Sequence, residues 1–270
     1  MRVSPAEQLR DVLLHQHLDA VDLLLSQEPG VLTQFLPEKR PWGEEQWLPL
    51  HYAAWVGDAS AMRLLIRHGA AVDSRTRFTT PLHARETALS IAARSGHTLA
   101  AAVLVEHGAE PEVRDANNLS PLAHAARGGY IELVDLLIQR AVMIDPICDQ
   151  QRTPLHLAIY GSDPAHAMHT DPHAHDATRP ASAVDRPACA QALIEANADL
   201  NHFCPKEPDG YTPLHRCVAV GDEHLSTARL LLEHGAEPHH PDPRFGHTAR
   251  DLARDLHRAA FIKLLEPLTK

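Results

Sequence analysis

The tetrapeptide Thr-Pro-Leu-His occurs at residues 153–156 and again at residues 212–215. A threonine side chain accepts a backbone N–H bond at the start of a helix, and proline suits the first helical position because its missing donor would have no partner there. Degenerate copies of this motif begin at residues 48, 87, 120 and 248. The successive starts lie 39, 33, 33, 59 and 36 residues apart, which indicates an internal repeat lengthened by insertions.

The residues after each motif predict a pair of short helices. Core-facing leucines and alanine pairs come first, and a glycine stands nine residues after the motif start, at Gly57, Gly96, Gly129 and Gly221. A left-handed glycine there would end the first helix. A second apolar segment then ends at Gly-Ala or at Asn197-Ala198, where asparagine tolerates the same conformation. One turn reads Ala141-Val142 instead and departs from the pattern.

One further complete motif, at residues 80–83, does not fit the register. The positions where its alanine pair and glycine should follow hold Arg85, Glu86 and Leu89. A motif that begins at Thr87 is followed by the expected residues. We therefore expect residues 80–83 to lie in an enlarged loop and the helix to begin after Thr87.

In these motifs the chain resembles the ankyrin-repeat family from about residue 6 to residue 266. The resemblance implies an all-α, ankyrin-repeat solenoid of stacked helix-turn-helix units, with hairpin-like fingers and a concave face. It implies a single domain, residues 1–270, made of an N-terminal cap (6–32), repeats at 48–86, 87–119, 120–152, 153–211 and 212–247, and a C-terminal cap (248–266). A His-rich insertion at 162–186 interrupts the fourth repeat.

Composition excludes several classes of protein. No run of 18 apolar residues is present, and charged residues interrupt the first segment, so we expect neither a membrane span nor a secretory signal and place the chain in the cytoplasm. The net charge of -10 argues against nucleic-acid binding, which needs a basic surface. The four cysteines have spacings typical of neither a disulfide framework nor a zinc site, and we expect them to be reduced packing residues.

No signature of catalysis is present in the sequence. It lacks a phosphate-binding glycine loop, G-x-S-x-G, H-E-x-x-H and the kinase motifs. We therefore expect a non-enzymatic scaffold that uses no cofactor. The resemblance implies a monomer that binds one protein partner through its concave face and fingers.

Candidate contact residues lie in two lengthened fingers, residues 33–47 and 74–86, and in a stripe along the first helix of each repeat. Both regions are rich in aromatic residues and arginine, the usual residues of interface hot spots. We expect the partner to contact Trp42, Trp47, Trp55, Arg75, Arg77, Phe78, Arg94, Arg127, Arg152, Tyr160 and Tyr211. The alternative is that Trp47 and Trp55 only pack between the fingers.

The insertion supports a competing interpretation. Its histidines His169, His173 and His175 lie near carboxylates, and imidazoles with carboxylates ligate Zn²⁺ or Ni²⁺. A metal-binding or enzymatic protein is therefore the alternative function. We favour a polar loop without metal, because no helix fixes the histidine spacing and no cysteine pair accompanies it.

The identity of the partner is open at this point. An acidic chain attracts a basic partner, and toxin neutralisation by a bacterial immunity or antitoxin-type protein would meet that condition. An effector that docks on a host protein is a variant of the same expectation. The remaining histidines of the motifs, such as His51, His156 and His215, are expected to be structural.

Overall fold

The computed structural model describes residues 4–40, 43–78, 85–160, 185–205, 211–242 and 246–266. The chain divides into two compact units, Met1–Pro121 and Leu122–Lys270. Within the described residues both units are built mainly from short helices, which confirms the predicted all-α fold. That these units form a single domain stays a prediction.

The first unit contains helix pairs and a small sheet. Its elements are α1 (Pro5–Leu14), α2 (Leu18–Gln27), a 3₁₀ helix (Pro29–Thr33), β1 (Leu36–Arg40), β2 (Gly43–Trp47), α3 (Pro49–Val56), α4 (Ala59–Arg67), β3 (Arg77–Phe78), α5 (Ala88–Ser95) and α6 (Thr98–Glu106). Helix α3 packs between α1 and α5, and α4 packs between α2 and α6. The helix pairs of this unit are therefore stacked, as the repeat pattern predicts.

The second unit repeats this arrangement. Its elements are α7 (Pro121–Gly128), which begins at the last residue of the first unit, α8 (Ile131–Ile138), α9 (Pro154–Tyr160), α10 (Arg186–Glu195), α11 (Pro213–Val220), a 3₁₀ helix (Asp222–His224), α12 (Leu225–Glu233), α13 (Ala249–Asp255) and α14 (Ala259–Leu265). Helix α11 packs between α9 and α13, and α10 packs on α8 and α12. The long insertion therefore leaves the paired helices of the fourth repeat, α9 and α10, in contact.

Helix starts follow from side-chain caps. The hydroxyl of Thr87 accepts a bond from the Ser90 backbone N–H at 3.2 Å, and Thr248 accepts one from Asp251 at 3.3 Å. Such a bond satisfies a donor that the helix itself cannot satisfy. Because α5 begins directly after Thr87, the predicted register of the second repeat is confirmed. Residues 80–83 themselves lie outside the described residues.

Helix ends follow the prediction at most glycines and differ at one. Gly57 and Gly96 are left-handed, with φ of 81° and 74°. A Cβ at Gly57 would also lie 2.5 Å from the His97 ring, so both space and conformation require glycine there. The prediction for Gly221 is wrong: its φ of 149° and ψ of -179° are not those of a left-handed cap. The second helix begins two residues after Gly57 but four residues after Gly221. The two additional residues belong to the 3₁₀ helix Asp222–His224.

The motif histidines His51 and His156 each join the first helix of a repeat to the segment that follows the second helix of the same repeat. His156 Nδ1 lies 2.9 Å from the Thr153 hydroxyl, and its Nε2 lies 3.3 Å from the Tyr211 carbonyl oxygen. His51 Nε2 similarly lies 2.8 Å from the Ser74 carbonyl oxygen. Burial lowers the pKa of His51 to about 4 and that of His156 to about 3. The neutral ring fits this role, because one nitrogen accepts a bond while the other donates.

All four cysteines are buried and none is bonded to another. Burial raises the pKa of the Cys189 thiol to about 12 and raises that of Cys217 as well. A thiol that stays protonated is a poor nucleophile. These side chains therefore act as small packing groups, as predicted.

Candidate partner-binding surface

The two lengthened fingers of the first unit join into one small sheet. Strand β2 pairs with β1 and with β3, antiparallel in both cases. In the second pairing Gln46 lies opposite Arg77. The backbone of one finger therefore fixes the position of the other.

Side chains alternate between the two faces of this sheet, because successive residues of a strand point to opposite sides. Thr76 is buried, whereas Arg75 and Arg77 on either side of it are exposed. Gln46, opposite Arg77, is exposed too. We define the finger surface as the exposed residues Gln46, Arg75, Arg77 and Arg85 together with the half-buried Phe35.

Arg77 is oriented by an aromatic ring. Its guanidinium carbon lies 5.3 Å from the centre of the half-buried Phe35 ring, within cation–π distance. Among the described residues no carboxylate forms an ion pair with Arg77. Arg75 donates to the Arg114 carbonyl oxygen at 3.4 Å. The two guanidiniums are thus positioned by an aromatic ring and a carbonyl group.

An aromatic cluster of Trp47, Tyr52 and Trp55 supports the sheet. The Trp47 ring lies 6.1 Å from the Trp55 ring and 6.5 Å from the Tyr52 ring, both in edge contacts. Trp47 is only 2% exposed, whereas Trp55 is half-buried. Trp47 therefore anchors β2 on α3 and offers little area to a partner. Trp55 keeps part of its ring accessible.

Arg94 has a structural partner that the sequence did not reveal. Its Nε lies 3.0 Å from Glu86 Oε1, and the Glu86 side chain is 0% exposed while that of Arg94 is 19% exposed. A buried carboxylate without its counter-charge is costly. Arg94 therefore supports the fold through its pair with Glu86.

The repeats assign the chain to a family. Sequence patterns for ankyrin repeats in three copies match residues 12–115 and 89–168, and the single ankyrin-repeat pattern matches residues 209–243. The chain belongs to the ankyrin-repeat family. Ankyrin repeats generally mediate protein–protein interaction, so the general function of this chain is to bind a protein.

Two relatives and one solved structure share the ankyrin repeats. Human ankyrin repeat and SOCS box protein 16 is 26% identical over 92% of this chain and 60% of its own length. Human ARF GTPase-activating protein GIT1 is 33% identical over 33% of this chain and 11% of its own length. The crystal structure of the human ASB11 ankyrin repeat domain matches with a TM-score of 0.68 at 23% identity, over 94% of this chain and 96% of that one. This last likeness shows the ankyrin fold alone.

This chain therefore spans less than two thirds of the length of both relatives. None of the helices in the described part of the chain is long and apolar enough to cross a bilayer.

Other predicted contact residues lie in the second ankyrin unit. Arg127 is half-buried, but Arg152 and Tyr211 are 7% and 9% exposed. The Tyr211 ring stacks on His215 at 5.9 Å, and its carbonyl oxygen contacts His156. Tyr211 thus packs between repeats, and Arg152 offers little area to a partner.

The remaining predicted positions are not described. Trp42, the side chains of Phe78 and Tyr160, and the insertion histidines His169, His173 and His175 lie outside the described residues. Sequence reasoning missed Gln46, whose signal would have been the strand alternation around the buried Trp47. It also missed that Glu86 pairs with Arg94. The two residues are eight positions apart and the start of α5 lies between them.

Proposed function

We propose that this ankyrin protein is a non-enzymatic interaction module that binds one protein partner through the finger surface of its first unit. The half-buried Trp55 and Arg94, whose side chain is 19% exposed, are included in the proposed contact. The observation that carries the proposal is Arg77, which is exposed, lies within cation–π distance of the Phe35 ring and has no ion pair among the described residues. No cofactor enters this function.

The physical argument concerns the entropy of binding. Immobilising a long side chain on association costs about 0.5–1.5 kcal/mol, and a side chain that is already oriented loses less. The Phe35 ring orients Arg77, and β2 holds the strand on which Arg77 lies. Arginine and aromatic residues dominate the hot spots of protein interfaces for this reason. A standard interface covers about 800 Å² and about 20–30 residues on each partner. The five residues of the finger surface would therefore form only the centre of such an interface.

Toxin neutralisation by an immunity or antitoxin-type protein is a finer form of this proposal, and an effector role is another. The sequence favours it only through the net charge of -10, which attracts a basic target. Its test is whether the captured partner is a toxin whose activity falls when this chain binds. A partner whose activity is unchanged by binding would contradict this finer form.

The main proposal is tested by site-specific cross-linking. A photo-reactive amino acid at Gln46, an exposed position of the finger surface, is expected to capture one protein in native cells. The same group at Leu23, which is 61% exposed on α2 outside the finger sheet, is the matched control and should not capture it. Equal capture from both positions, or none from Gln46, would contradict the proposal.

A further inference from the structure

The finger surface carries exposed arginines on an acidic protein. Arg75, Arg77 and Arg85 are exposed, and among the described residues none of them forms an ion pair. The whole chain nevertheless carries 35 acidic residues against 25 lysines and arginines. Carboxylates are therefore abundant, yet the described ones do not neutralise this finger.

Other exposed arginines of the same unit behave differently. Arg63 lies 3.0 Å from Glu106, and Arg67 lies 3.7 Å from Asp22. These pairs lie on α4 and its neighbouring helices, where they neutralise the surface. The contrast shows that unpaired arginine is a property of the finger and not of the unit as a whole.

We infer that the finger surface recognises an extended acidic segment of the partner, with carboxylates on alternate residues. The inference rests on the proposed function and names the chemistry of the partner. Arg75 and Arg77 lie on the same face, two residues apart, so their backbone positions are separated by about 6.6 Å. Alternate residues of an extended peptide have the same spacing. Two carboxylates of such a segment therefore have the same spacing as the backbone positions of Arg75 and Arg77, whose guanidiniums lie near the Arg114 carbonyl oxygen and the Phe35 ring.

The contact at Phe35 fits this chemistry. A guanidinium that stacks on a ring uses its flat face and keeps its N–H donors at the edge, where they bind a carboxylate through two parallel bonds. The guanidinium carbon of Arg77 lies over the Phe35 ring, 5.3 Å from its centre. Lysine would not reproduce the arrangement, because its ammonium group is a compact charge without a planar fork.

The exposed arginines favour an acidic segment, in contrast to the basic partner expected from the net charge. Exposed charges are screened over about 8–10 Å in physiological salt, so a docked segment senses mainly the finger itself. A long polyanion such as nucleic acid would in addition approach the acidic remainder of the chain. A short acidic segment avoids that repulsion.

The test uses the whole chain and a short fluorescein-labelled peptide in which glutamate alternates with serine. We expect it to bind in low salt and to weaken as salt rises, while the same peptide with glutamine does not bind. A peptide with the same glutamates grouped at one end should bind several-fold more weakly. Absence of binding by the alternating peptide at about 1 mM, or equal binding by the glutamine peptide, would overturn the inference.

Two double variants locate the site. Arg75→Gln with Arg77→Gln should weaken binding of the alternating peptide at least about tenfold, as the loss of hot-spot contacts does. Arg63→Gln with Arg67→Gln removes the same charge from α4 and should leave binding within about twofold, by the weak effect of distant exposed charges. An equal loss in both variants would show attraction to net charge alone and would sink the inference.

The cross-linked partner separates this inference from the proposed function. If Gln46 captures a partner and the double variant Arg75→Gln, Arg77→Gln binds that partner with unchanged affinity, the protein binds through the finger. In that case the inference of an acidic segment is wrong. If Gln46 captures nothing, the proposed function fails first.

Discussion

Two turns of the first unit close with the same bonds and differ in what they enclose. In one, the Thr76 N–H donates to the Glu86 carbonyl oxygen at 2.9 Å, and the Thr76 hydroxyl accepts from the Glu86 N–H at 3.0 Å. In the other, Asp115 makes the equivalent bonds to Leu119 at 3.0 and 2.9 Å. The first encloses residues 77–85 and the second only residues 116–118.

This difference suggests a division between framework residues, which close and support the turns, and the exposed residues that we propose to bind the partner. In the short turn the acidic side chain of Asp115 closes the turn, because it accepts the Leu119 N–H and also the Asn117 N–H, the latter at 2.8 Å. The long finger closes with Thr76 and leaves exposed arginines between the closing residues. Added loop length costs little free energy, because the closure entropy grows only logarithmically. We therefore propose that the exposed arginines Arg77 and Arg85 serve binding, while the closing residues Thr76 and Glu86 maintain the fold.

The strongest test of this separation is Trp47→Ala, at the anchor of β2. Trp47 is almost fully buried against Tyr52 and Trp55, so its removal leaves a cavity and should cost about 3–5 kcal/mol in the free energy of unfolding. Circular dichroism melts and denaturant titrations measure this loss. A change below about 1 kcal/mol would show that the strand is not anchored by this side chain.

The next effect concerns the ion pair at the base of the long finger. Arg94→Ala leaves the buried Glu86 carboxylate uncompensated and should destabilise the protein by about 3 kcal/mol. Adding Glu86→Gln removes the buried charge and should restore part of the stability. If the double variant is no more stable than Arg94→Ala, the charge pairing is not what matters at this position.

Acid should weaken the framework at the motif histidines of both units. The folded pKa values of about 4 for His51 and about 3 for His156 lie below the ordinary 6.5, so the folded state binds fewer protons. Stability should therefore fall as the pH drops below about 6.5, by about 1.4 kcal/mol per pH unit for each histidine. Melts between pH 7 and pH 5 measure the slope. His156→Gln should reduce that slope, and an unchanged slope would contradict the assignment.

A smaller effect is expected where a turn of the second unit departs from the repeat pattern. Ala141 is left-handed, with φ of 54°, a conformation that strains a residue with a Cβ by about 1–2 kcal/mol. Ala141→Gly relieves the strain but frees the unfolded chain, so we expect a net gain of about 0.5–1 kcal/mol. Asn197→Gly at φ of 63° is the control and should gain less, because asparagine tolerates this region. Loss of stability in Ala141→Gly would contradict this explanation.

Local features of the fold were predictable from the sequence, and contacts across repeats were not. The helices that begin after Thr87 and Thr248 could be predicted, because a capping side chain bonds to a backbone N–H within one helical turn of its own position. The departure at Gly221 depends on two extra residues whose conformation no motif encodes. The pairing of β2 with β3 joins segments about thirty residues apart, and the proline in β1 conceals the strand pattern.

The candidate surface was predictable in composition and not in geometry. The arginines and aromatic residues of the fingers are evident in the sequence, yet only the register of the sheet shows that Arg75 and Arg77 share a face with Gln46. Trp47 and Arg94 have the same residue types, but burial and the pair with Glu86 assign them to the framework.

The smallest effect on stability is expected at the finger surface itself, in the double variant Arg75→Gln, Arg77→Gln. Exposed side chains without ion pairs among the described residues contribute little to folding, so its melting curve should match that of the unaltered protein within about 0.5 kcal/mol.

Calorimetric titration of this folded variant with the partner captured at Gln46 tests the division between framework and function most directly. We expect the affinity to fall at least about tenfold while the melting curve is unchanged. An unchanged affinity in the folded variant would contradict the assignment of binding to the finger surface.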